Sequence, residues 1–323
     1  MKPYYETELG KLYHGDCLEV LPGLEPVDLV LTDPLYNVSK AKWDRKEDYP
    51  DWLTDIFRHC EEISRENSTL WFFHMVFSDL AEIDRLINIK TNYRHRQLII
   101  IDKGIGSIAG RCNCKQLRTF PRATEYIQFY TFKDYTGAEQ LSEKYHKINP
   151  MAKYLRNEFK RAGVSNGEIA KLFPSKTGGM TGCVSNWLLG CNFPLKDQYE
   201  KMRDYLSGEY LRKEYEDLRK EYEDLRYPFN LPLGVTDVWS DISFAIRNNT
   251  GHETPKPTTL VIRIILAATN KGAVVLDPFL GSGTTAIACE RLNRKWIGIE
   301  IEEKYCEIAA KRIEQERKQL KLF

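Results

Sequence analysis

The chain has 323 residues, a formal net charge of +1, 42% hydrophobic residues and 29% charged residues. These values exclude an intrinsically disordered chain and a polycation, and they suit one large α/β domain with an insert. A nucleic-acid partner would therefore need locally concentrated basic residues. No apolar stretch approaches the roughly 20 residues of a membrane helix, and the N-terminus lacks an apolar signal segment, so a cytoplasmic location is expected.

Strand and helix patterns alternate in the first part of the chain. Continuous apolar runs predict strands that are buried on both faces, and apolar spacings of three and four predict helices. The patterns predict a strand over 11–16, a short helix over 17–23, a strand over 27–32, a helix over 51–65, a strand over 68–74, a helix over 79–89, and strands over 97–101 and 126–132. This order is typical of a doubly wound α/β fold.

The loop between the last two of these strands is basic and rich in glycine. Residues 103–124 contain no acidic side chain. Their basic side chains are Lys103, Arg111, Lys115, Arg118 and Arg122. A basic loop beside an active site suits a phosphate backbone, and the alternative is a solvated surface loop.

The middle of the chain, from about 140 to 230, interrupts the α/β pattern. Residues 164–172 predict the first helix of a helix-turn-helix, with Ser165 as the N-cap. After a glycine turn, residues 181–189 predict the second helix. The alternative is an ordinary small helical subdomain.

Basic residues are concentrated in this middle segment. Residues 151–178 contain six basic side chains, including Lys176, against two acidic ones. The predicted second helix offers Ser185 and Asn186 as polar groups. We therefore expect Lys176, Ser185 and Asn186 to contact DNA.

A short internal repeat follows the basic segment. Glu214–Lys220 is followed by the closely similar Glu221–Tyr227. An apolar stripe on the predicted helix comprises Leu211, Tyr215, Leu218, Tyr222 and Leu225. The stripe indicates a helix packed on its own domain or, alternatively, the seam of a homodimer, since a coiled coil needs three or more heptads for a firm assignment.

The last part of the chain returns to the α/β pattern, with predicted helices over 258–269, 284–292 and 303–319 and strands over 273–276 and 295–301. The first of these strands runs into Asp277-Pro-Phe-Leu-Gly-Ser-Gly283. Glycines in such a turn let the backbone approach a ligand closely. The turn lacks the lysine of a P-loop, and Glu300 ends the next strand. A glycine turn with an acid one strand later indicates a ligand that contains adenosine.

The earlier sequence Asp33-Pro-Leu-Tyr36 follows a strand that the pattern buries completely. An exocyclic amine is a poor nucleophile because its lone pair is delocalised into the ring. A site that accepts both N–H bonds favours a pyramidal nitrogen, and Asp33 with the Pro34 carbonyl can do this. Tyr36 offers a face for stacking an extruded base. An ordinary Asp-Pro turn is the alternative for this motif taken alone.

Together, the two motifs make the chain resemble the S-adenosylmethionine-dependent DNA amino-methyltransferases, and more narrowly their β group, in which the catalytic motif precedes the target-recognition region and the cofactor motif comes last. The resemblance implies an α/β fold with a Rossmann-like, seven-stranded, circularly permuted sheet and a helical target-recognition insert. It implies a catalytic half over 1–138, the insert over 139–232 and a cofactor-binding half over 233–323.

The resemblance also implies roles for individual residues. The catalytic residues are Asp33, Pro34, Leu35 and Tyr36. The residues implied at the cofactor S-adenosylmethionine are Asp16, Cys17, Lys256, Asp277, Phe279, Gly281, Ser282, Gly283, Thr284 and Glu300. Asp16 would accept the adenine amino group, and Glu300 would hold the ribose hydroxyls. Lys256 and Pro257 match a family element that begins at His252.

Leu35 stands where the family usually has a second proline, and Glu253 also replaces a proline. The Leu35 side chain is expected to reshape the pocket, while activity survives because the carbonyl that matters belongs to Pro34. Aspartate at the first motif position favours adenine N6 over cytosine N4. Double-stranded DNA is the expected partner, a homodimer is possible, and the protein is expected to be bacterial or phage-encoded.

Several alternatives stay open at this point. They are cytosine N4 methylation, methylation of RNA or of protein amides, a nucleotide-dependent oxidoreductase, and a DNA-binding relic whose activity Leu35 has impaired. The eight cysteines are scattered. Free thiols are expected rather than a metal site, since the closest pair, Cys112 and Cys114, lacks a second pair.

Overall fold

The computed structural model describes residues 2–38, 46–104, 118, 120–132, 149–175, 179, 181–223, 228–230, 234–244 and 256–320. The chain divides into two compact units. The first unit comprises residues 1–133 and 227–323, and the second comprises residues 134–226. The second unit overlaps the insert predicted over 139–232, and each unit has its own apolar core.

The first unit is built on one sheet. Its strands, within the described residues, are β1 (Tyr5–Glu6), β2 (Gly10–His14), β3 (Val27–Thr32), β4 (Ser64–His74), β5 (Tyr93–Asp102), β6 (Thr124–Phe132), β7 (Val238–Trp239), β8 (Val274–Asp277) and β9 (Lys295–Glu300). Their order across the sheet is β1-β2-β9-β8-β3-β4-β6-β5-β7. The neighbours from β2 to β4 are parallel, and β6 runs antiparallel between β4 and β5. Apart from the two-residue strands β1 and β7, this is the predicted seven-stranded permuted sheet.

Both units contain helices. Where the structure describes the chain, they are in chain order α1 (Cys17–Val20), α2 (Tyr49–Glu62), α3 (Phe77–Lys90), α4 (Pro150–Ala162), α5 (Asn166–Ala170), α6 (Cys183–Leu189), α7 (Lys196–Tyr205), α8 (Tyr215–Glu223), α9 (Thr258–Ala268), α10 (Thr284–Leu292) and α11 (Glu303–Leu320). Helices α4 to α8 belong to the second unit. The others cover the sheet of the first unit.

Two apolar layers hold the sheet of the first unit between its helices. On one face, Ile264 of α9 and Ile313 of α11 pack with strand residues such as Trp71. On the other face, Phe57 of α2 and Ile83 of α3 are buried completely. Full burial of each such side chain stabilises the fold by about 1.5–3 kcal/mol. Because β3, β4 and β8 are parallel, the loops that follow them gather at one edge of the sheet.

Most predicted elements of the first unit are present with shifted ends. The helix predicted over 284–292 forms with those bounds. Strand β4 begins at Ser64 and β5 at Tyr93, each four residues before the predicted start, because polar residues at 64–67 and 94–96 interrupt the apolar run. The pattern missed β1 and β7, since two residues carry no periodicity.

The second unit is helical and contains the predicted pair of helices. Ser165 caps α5 as expected: its Oγ accepts the Glu168 backbone N–H at 3.2 Å, and the Glu168 carboxylate accepts the Ser165 N–H at 2.8 Å. Reciprocal bonds of this kind satisfy two of the free donors at a helix start. Ile169 of α5 and Trp187 of α6 are buried in the core of the unit. The sequence patterns missed α4 and α7.

The repeated segment forms α8 and packs within its own unit. Leu211 and Leu218 are completely buried, and Tyr222 is nearly so. Leu211 lies before the helix, with a positive φ of 53°, rather than on its stripe. Leu225 lies outside the described residues. The burial agrees with the interpretation of a helix packed on its own domain, and it leaves these three side chains no role as a dimer seam.

No helix among the described residues is both long enough and apolar enough to cross a membrane. The same part of the chain contains no group of three or more histidine, cysteine or acidic side chains arranged to hold a metal ion. The described cysteines are free thiols. Cys112 and Cys114 lie outside the described residues.

Candidate active site

The segment after β3 carries the first predicted site. Tyr36 turns back towards the strand, and its Oη donates to Asp33 Oδ1 at 2.6 Å. Pro34 is buried, whereas the Asp33 side chain keeps 31% of its surface exposed. The carboxylate is therefore fixed by a neighbour and still accessible from the cleft, as an acceptor for a ligand N–H must be.

Lys256 places its ammonium group against this carboxylate. Its Nζ donates to Asp33 Oδ1 at 2.9 Å and Oδ2 at 2.8 Å, and to Tyr36 Oη at 2.9 Å. The ammonium also lies 5.1 Å from the centroid of the Tyr36 ring and 5.2 Å from that of Phe73. The Lys256 side chain is 10% exposed. The sequence prediction assigns Lys256 to the cofactor, and the structure shows it bound to the predicted catalytic residues.

A second buried carboxylate faces the same ammonium. Glu125, at the start of β6, has its Oε2 3.6 Å from Lys256 Nζ and accepts a hydrogen bond from Lys103 Nζ at 3.0 Å on Oε1. Burial acts to raise the pKa of Glu125, but the charges of Lys256 and Lys103 outweigh it and lower that pKa. Burial acts to lower the pKa of Lys256, and the charges of Asp33 and Glu125 raise it above its ordinary value. Four charges of alternating sign thus stabilise one another.

The backbone of Leu35 is held by a different set of contacts. Tyr49 Oη donates to the Leu35 carbonyl at 2.5 Å, and His74 Nε2 lies 3.1 Å from the same hydroxyl. Since the Tyr49 proton goes to Leu35, His74 donates through Nε2 and accepts the Val76 N–H through Nδ1 at 3.1 Å. Burial lowers the pKa of His74, which favours the neutral imidazole.

The Leu35 side chain packs against the core layer formed with α2 and α3. It is not among the residues that line the cleft. Phe279, which does line the cleft, packs against the same layer, so the expected effect of Leu35 on the shape of the pocket stays a prediction.

The second motif begins at the end of β8, where Asp277 organises the turn. Its Oδ1 accepts the Thr32 hydroxyl at 2.8 Å and the Phe279 N–H at 3.1 Å, and its Oδ2 accepts the Thr285 hydroxyl at 2.6 Å. Burial raises the pKa of Asp277 to about 6, although these three donors act to lower it. Asp277 thus joins the ends of β3 and β8 and the start of α10. Because its carboxylate already accepts three hydrogen bonds within the protein, Asp277 stabilises the shape of the cleft.

The glycine turn brings the backbone to the surface of the cleft. Gly281 and Gly283 have φ values of 55° and 86°, which favour glycine. The Gly281 N–H donates to Glu300 Oε2 at 2.8 Å, and Glu300 Oε1 accepts the Glu302 N–H at 2.9 Å. Burial raises the pKa of Glu300. The predicted ribose acceptor therefore also ties the turn to the end of β9.

A cleft joins the two motifs. Its cavity volume is about 70 Å³. Its lining residues are Thr32, Asp33, Phe73, Lys256, Val261, Asp277, Phe279, Leu280, Gly281, Ser282, Thr284 and Thr285. The cleft thus places the accessible carboxylate of the first motif in the same space as the glycine turn of the second.

Two further predicted cofactor residues lie at the start of α1. Asp16 caps this helix, and its Oδ1 accepts the Leu18 N–H at 2.9 Å. Cys17 is buried, and burial raises the pKa of its thiol to about 12. Neither residue lines the cleft described above. Their contact with an adenine ring stays a prediction.

The predicted DNA-binding residues fall into three groups. Arg118 and Arg122 in the first unit, and Ser185 and Asn186 in the second, are exposed. Lys103 is committed to Glu125 within the site. Arg111, Lys115 and Lys176 lie outside the described residues. Exposure suits contact with DNA and does not by itself assign it.

Glu125, Tyr49 and His74 are site residues that the sequence patterns missed. None of them stands in a motif. A signal existed for Glu125, because it is an acid near the start of the mostly buried strand Thr124–Phe132, and an acid in a buried strand needs a cation. Tyr49 and His74 gave no comparable signal.

Comparison with known families decides what kind of protein this is. A family model described as DNA methylase, for the N6 and N4 enzymes, matches residues 27–311. The chain belongs to this family of DNA methylases. The resemblance to S-adenosylmethionine-dependent DNA amino-methyltransferases, drawn from the two motifs, is confirmed.

Several curated proteins are similar to this methylase along its whole length. The Type II methyltransferase M2.LlaDCHI of Lactococcus lactis subsp. cremoris is 39% identical over 332 residues, which cover 97% of this chain and 92% of the relative. The DNA adenine methyltransferase YhdJ of Escherichia coli (strain K12) is 25% identical over 327 residues, which cover 96% of this chain and 84% of the relative. The Type II methyltransferase M.BamHI of Bacillus amyloliquefaciens is 28% identical, and the chain spans 61% of its length.

Solved structures share the fold of this methylase. The complex of M1.HpyAVI with SAM superimposes with a TM-score of 0.55 at 18% identity and covers 94% of this chain and 99% of that one. The cytosine-N4-specific PvuII DNA methyltransferase superimposes with a TM-score of 0.55 at 15% identity, and the match covers 96% of this chain and 88% of that one. The predicted methyltransferase fold is confirmed.

Gly283→Ala is expected to destabilise the methylase by about 1–3 kcal/mol, because a side chain is strained at this positive φ. An added Cβ would also lie 3.0 Å from Ala309 Cβ. Denaturant unfolding measures the loss. Gly23→Ala is the matched control in the same unit, since its Cβ meets nothing within 4 Å. Equal stability of the two variants would contradict a structural requirement for glycine at 283.

Proposed function

We propose that this methylase transfers a methyl group from S-adenosylmethionine to the exocyclic N6 amine of adenine in double-stranded DNA, on a base extruded from the helix. The observation that carries the proposal is the Asp33 carboxylate. It is fixed by Tyr36 and Lys256, accessible from the cleft, and in the same space as the glycine turn. A held acceptor beside a ligand-binding turn is what amine methylation requires.

The cleft residues fit the methyl donor. Gly281 lines the cleft and has no side chain to occupy it, while Phe279 and Leu280 supply apolar surface. Phe279, Gly281, Ser282 and Thr284 would hold the methionine and ribose parts, with Glu300 at the ribose hydroxyls. When bound, S-adenosylmethionine supplies an electrophilic methyl group.

The residues of the first motif act on the substrate amine. Asp33 accepts one N–H and the buried Pro34 supplies a backbone carbonyl for the other. Two such acceptors orient the nitrogen lone pair out of conjugation with the ring. Tyr36, whose ring contacts His74 at 5.1 Å between centroids, is the stacking surface for the extruded base. Nothing in this scheme needs a covalent intermediate on the enzyme.

Cytosine N4 is the second candidate for the methylated atom. Aspartate at position 33 supports adenine, and so does the name of YhdJ, an adenine methyltransferase similar over nearly the whole chain. The fold of the cytosine-N4-specific PvuII enzyme is as similar to this chain as the fold of M1.HpyAVI is, with a TM-score of 0.55 for each. Both bases present an exocyclic amine to the same acceptors. The bacterial Type II methyltransferases among the relatives support a role in restriction-modification and a cytoplasmic location.

Arg118→Gln combined with Arg122→Gln is expected to weaken DNA binding and to flatten its salt dependence. Each phosphate contact contributes about −0.9 to the slope of log K against log salt. The measurement is fluorescence anisotropy with a duplex at several salt concentrations. The double variant Lys311→Gln and Lys318→Gln removes two charges from the terminal helix α11 and should keep the parent slope. An unchanged slope in the arginine variant would show that Arg118 and Arg122 do not contact the DNA phosphates.

Labelled methyl transfer to unmethylated genomic DNA tests the proposed function. The DNA is digested to nucleosides after the reaction, and mass spectrometry identifies the methylated one. N6-methyldeoxyadenosine supports the proposal, and N4-methyldeoxycytidine replaces it with the second candidate. S-adenosylmethionine binding without incorporation into DNA would overturn it.

A further inference from the structure

Glu125 contributes a buried charge to the site for which the chemistry above has no task. Its side chain is 11% exposed. Its Oε1 accepts a hydrogen bond from Lys103, while its Oε2 is buried without a hydrogen-bond partner in the described part of the chain. A buried carboxylate oxygen without a donor is costly. It is also placed 3.6 Å from Lys256 Nζ, just beyond hydrogen-bonding distance.

Lys256, in turn, occupies the atoms that the substrate needs. Its Nζ donates to both oxygens of Asp33 and to Tyr36 Oη. An amine that donates to Asp33 must therefore bind to a carboxylate oxygen that already accepts a hydrogen bond from this ammonium. Charge-assisted bonds are the stronger hydrogen bonds in proteins, so an undivided Lys256–Asp33 pair would oppose substrate binding.

We propose that Glu125 is a positioning residue that draws the Lys256 ammonium away from one Asp33 oxygen when the target amine arrives. The inference rests on the proposed function and adds a residue to it. A movement of about 1 Å brings Nζ within ordinary hydrogen-bonding distance of Oε2. Lys256 then bridges the two carboxylates, and the released Asp33 oxygen accepts the amine N–H. No covalent bond changes in this step.

The charge of Glu125 has a second effect during transfer. The amine nitrogen gains positive charge as the methyl group arrives and before its proton leaves. Asp33, Lys256, Glu125 and Lys103 together are neutral, so the site does not repel that charge. Without Glu125 the cluster carries an excess positive charge, which disfavours the transition state.

The groups that face Lys256 come from several elements. Asp33 and Tyr36 follow β3, Phe73 lies on β4, and Glu125 lies on β6 with Lys103 beyond it. Asp33 and Glu125 are the acids in contact with the ammonium. Loss of the Glu125 charge should therefore lower the pKa of Lys256 while leaving it paired to Asp33.

The test compares Glu125→Gln with Glu125→Asp in the full-length chain. Gln keeps the shape and can still accept from Lys103, whereas Asp keeps the charge and loses one methylene. We expect Glu125→Gln to reduce kcat by about 10- to 100-fold, the scale of a misplaced reacting group, with S-adenosylmethionine affinity unchanged. Glu125→Asp should retain more activity than Glu125→Gln. The opposite ranking would assign Glu125 a packing role and overturn the proposal.

The pH profile gives a readout that a packing role would not move. The charged form of Lys256 is the active one, so activity falls as pH rises through its pKa. The alkaline limb of kcat in Glu125→Gln should therefore shift to lower pH, and that of Glu125→Asp should shift less. Coincident alkaline limbs for the parent and Glu125→Gln would contradict the proposal.

A measurement that needs no catalysis separates this inference from the proposed function. Nitrogen-15 NMR follows the Lys256 ammonium through a pH titration, and its signal is assigned by its absence in Lys256→Arg. A lower pKa in Glu125→Gln than in Glu125→Asp supports the coupling, and equal values overturn it. If the parent transfers no methyl group to DNA, the proposed function fails while this titration still decides whether Glu125 controls Lys256.

Discussion

Asp33→Asn is expected to abolish detectable methyl transfer, a loss of at least about 10³-fold, while S-adenosylmethionine still binds. The amide keeps the size of the carboxylate and one acceptor oxygen, but it presents N–H groups where the substrate amine and Lys256 both donate. Asp33 accepts three hydrogen bonds from Tyr36 and Lys256. The substitution therefore removes the acceptor for the amine and the partner that orients it.

Single-turnover transfer to duplex DNA measures the rate, and calorimetry measures cofactor affinity. Asp28→Asn is the matched control on the same strand, because Asp28 accepts the Val274 N–H at 2.8 Å and pairs with Arg65, at the opposite end of β3 from the site. It should lower stability and leave transfer intact. An Asp33→Asn enzyme that keeps near-parent rates would place the active site elsewhere.

The sequence predicted the two motifs because each is local. A buried run followed by Asp33-Pro-Leu-Tyr36, and a strand followed by a glycine turn, are signals within a few residues of one another. Parallel strands place such turns at one sheet edge, and this is where β3 and β8 end. The strands and turns that carry the two motifs were therefore predictable. The first residues of strands that begin with polar side chains, such as β4, were not.

The contacts that complete the site join residues that are distant in the chain. Lys256 meets Asp33 across 223 positions, and Glu125 approaches from an antiparallel strand whose register no motif encodes. The position of the Leu35 side chain was likewise not predictable from the sequence. The identity of this residue differs from the family pattern, but only the fold shows that its side chain packs against the layer formed with α2 and α3. Side-chain direction after a strand depends on backbone geometry that composition does not specify.

Glu300 illustrates a residue whose predicted role is complicated by a second one. The sequence places an acid at the ribose, and the structure shows that acid accepting the N–H groups of Gly281 and Glu302. Each carboxylate oxygen has two lone pairs, so both roles are compatible. The same side chain then shapes the glycine turn and binds the ligand that the turn accommodates.

Glu300→Gln is expected to weaken S-adenosylmethionine by about 10- to 150-fold, the equivalent of roughly 1.5–3 kcal/mol for charge-assisted hydrogen bonds. The amide offers one acceptor oxygen where the carboxylate offers two, so either the turn or the ribose loses a partner. Calorimetry measures the dissociation constant. Glu302→Ala is the control, because the Glu302 side chain is exposed and only its backbone N–H takes part. A parent-like dissociation constant for Glu300→Gln would rule out the ribose role.

The affinity of the parent should depend on pH through the same group. Burial raises the pKa of Glu300 in the free protein, and ribose hydroxyls donate to the ionised form. Ligand binding therefore favours loss of the proton, so affinity should fall as pH decreases through the raised pKa and level off above it. Glu300→Gln has no proton to lose and should show no such dependence. A pH dependence shared by both proteins would have to come from another group, and the ribose assignment would then rest on the dissociation constant alone.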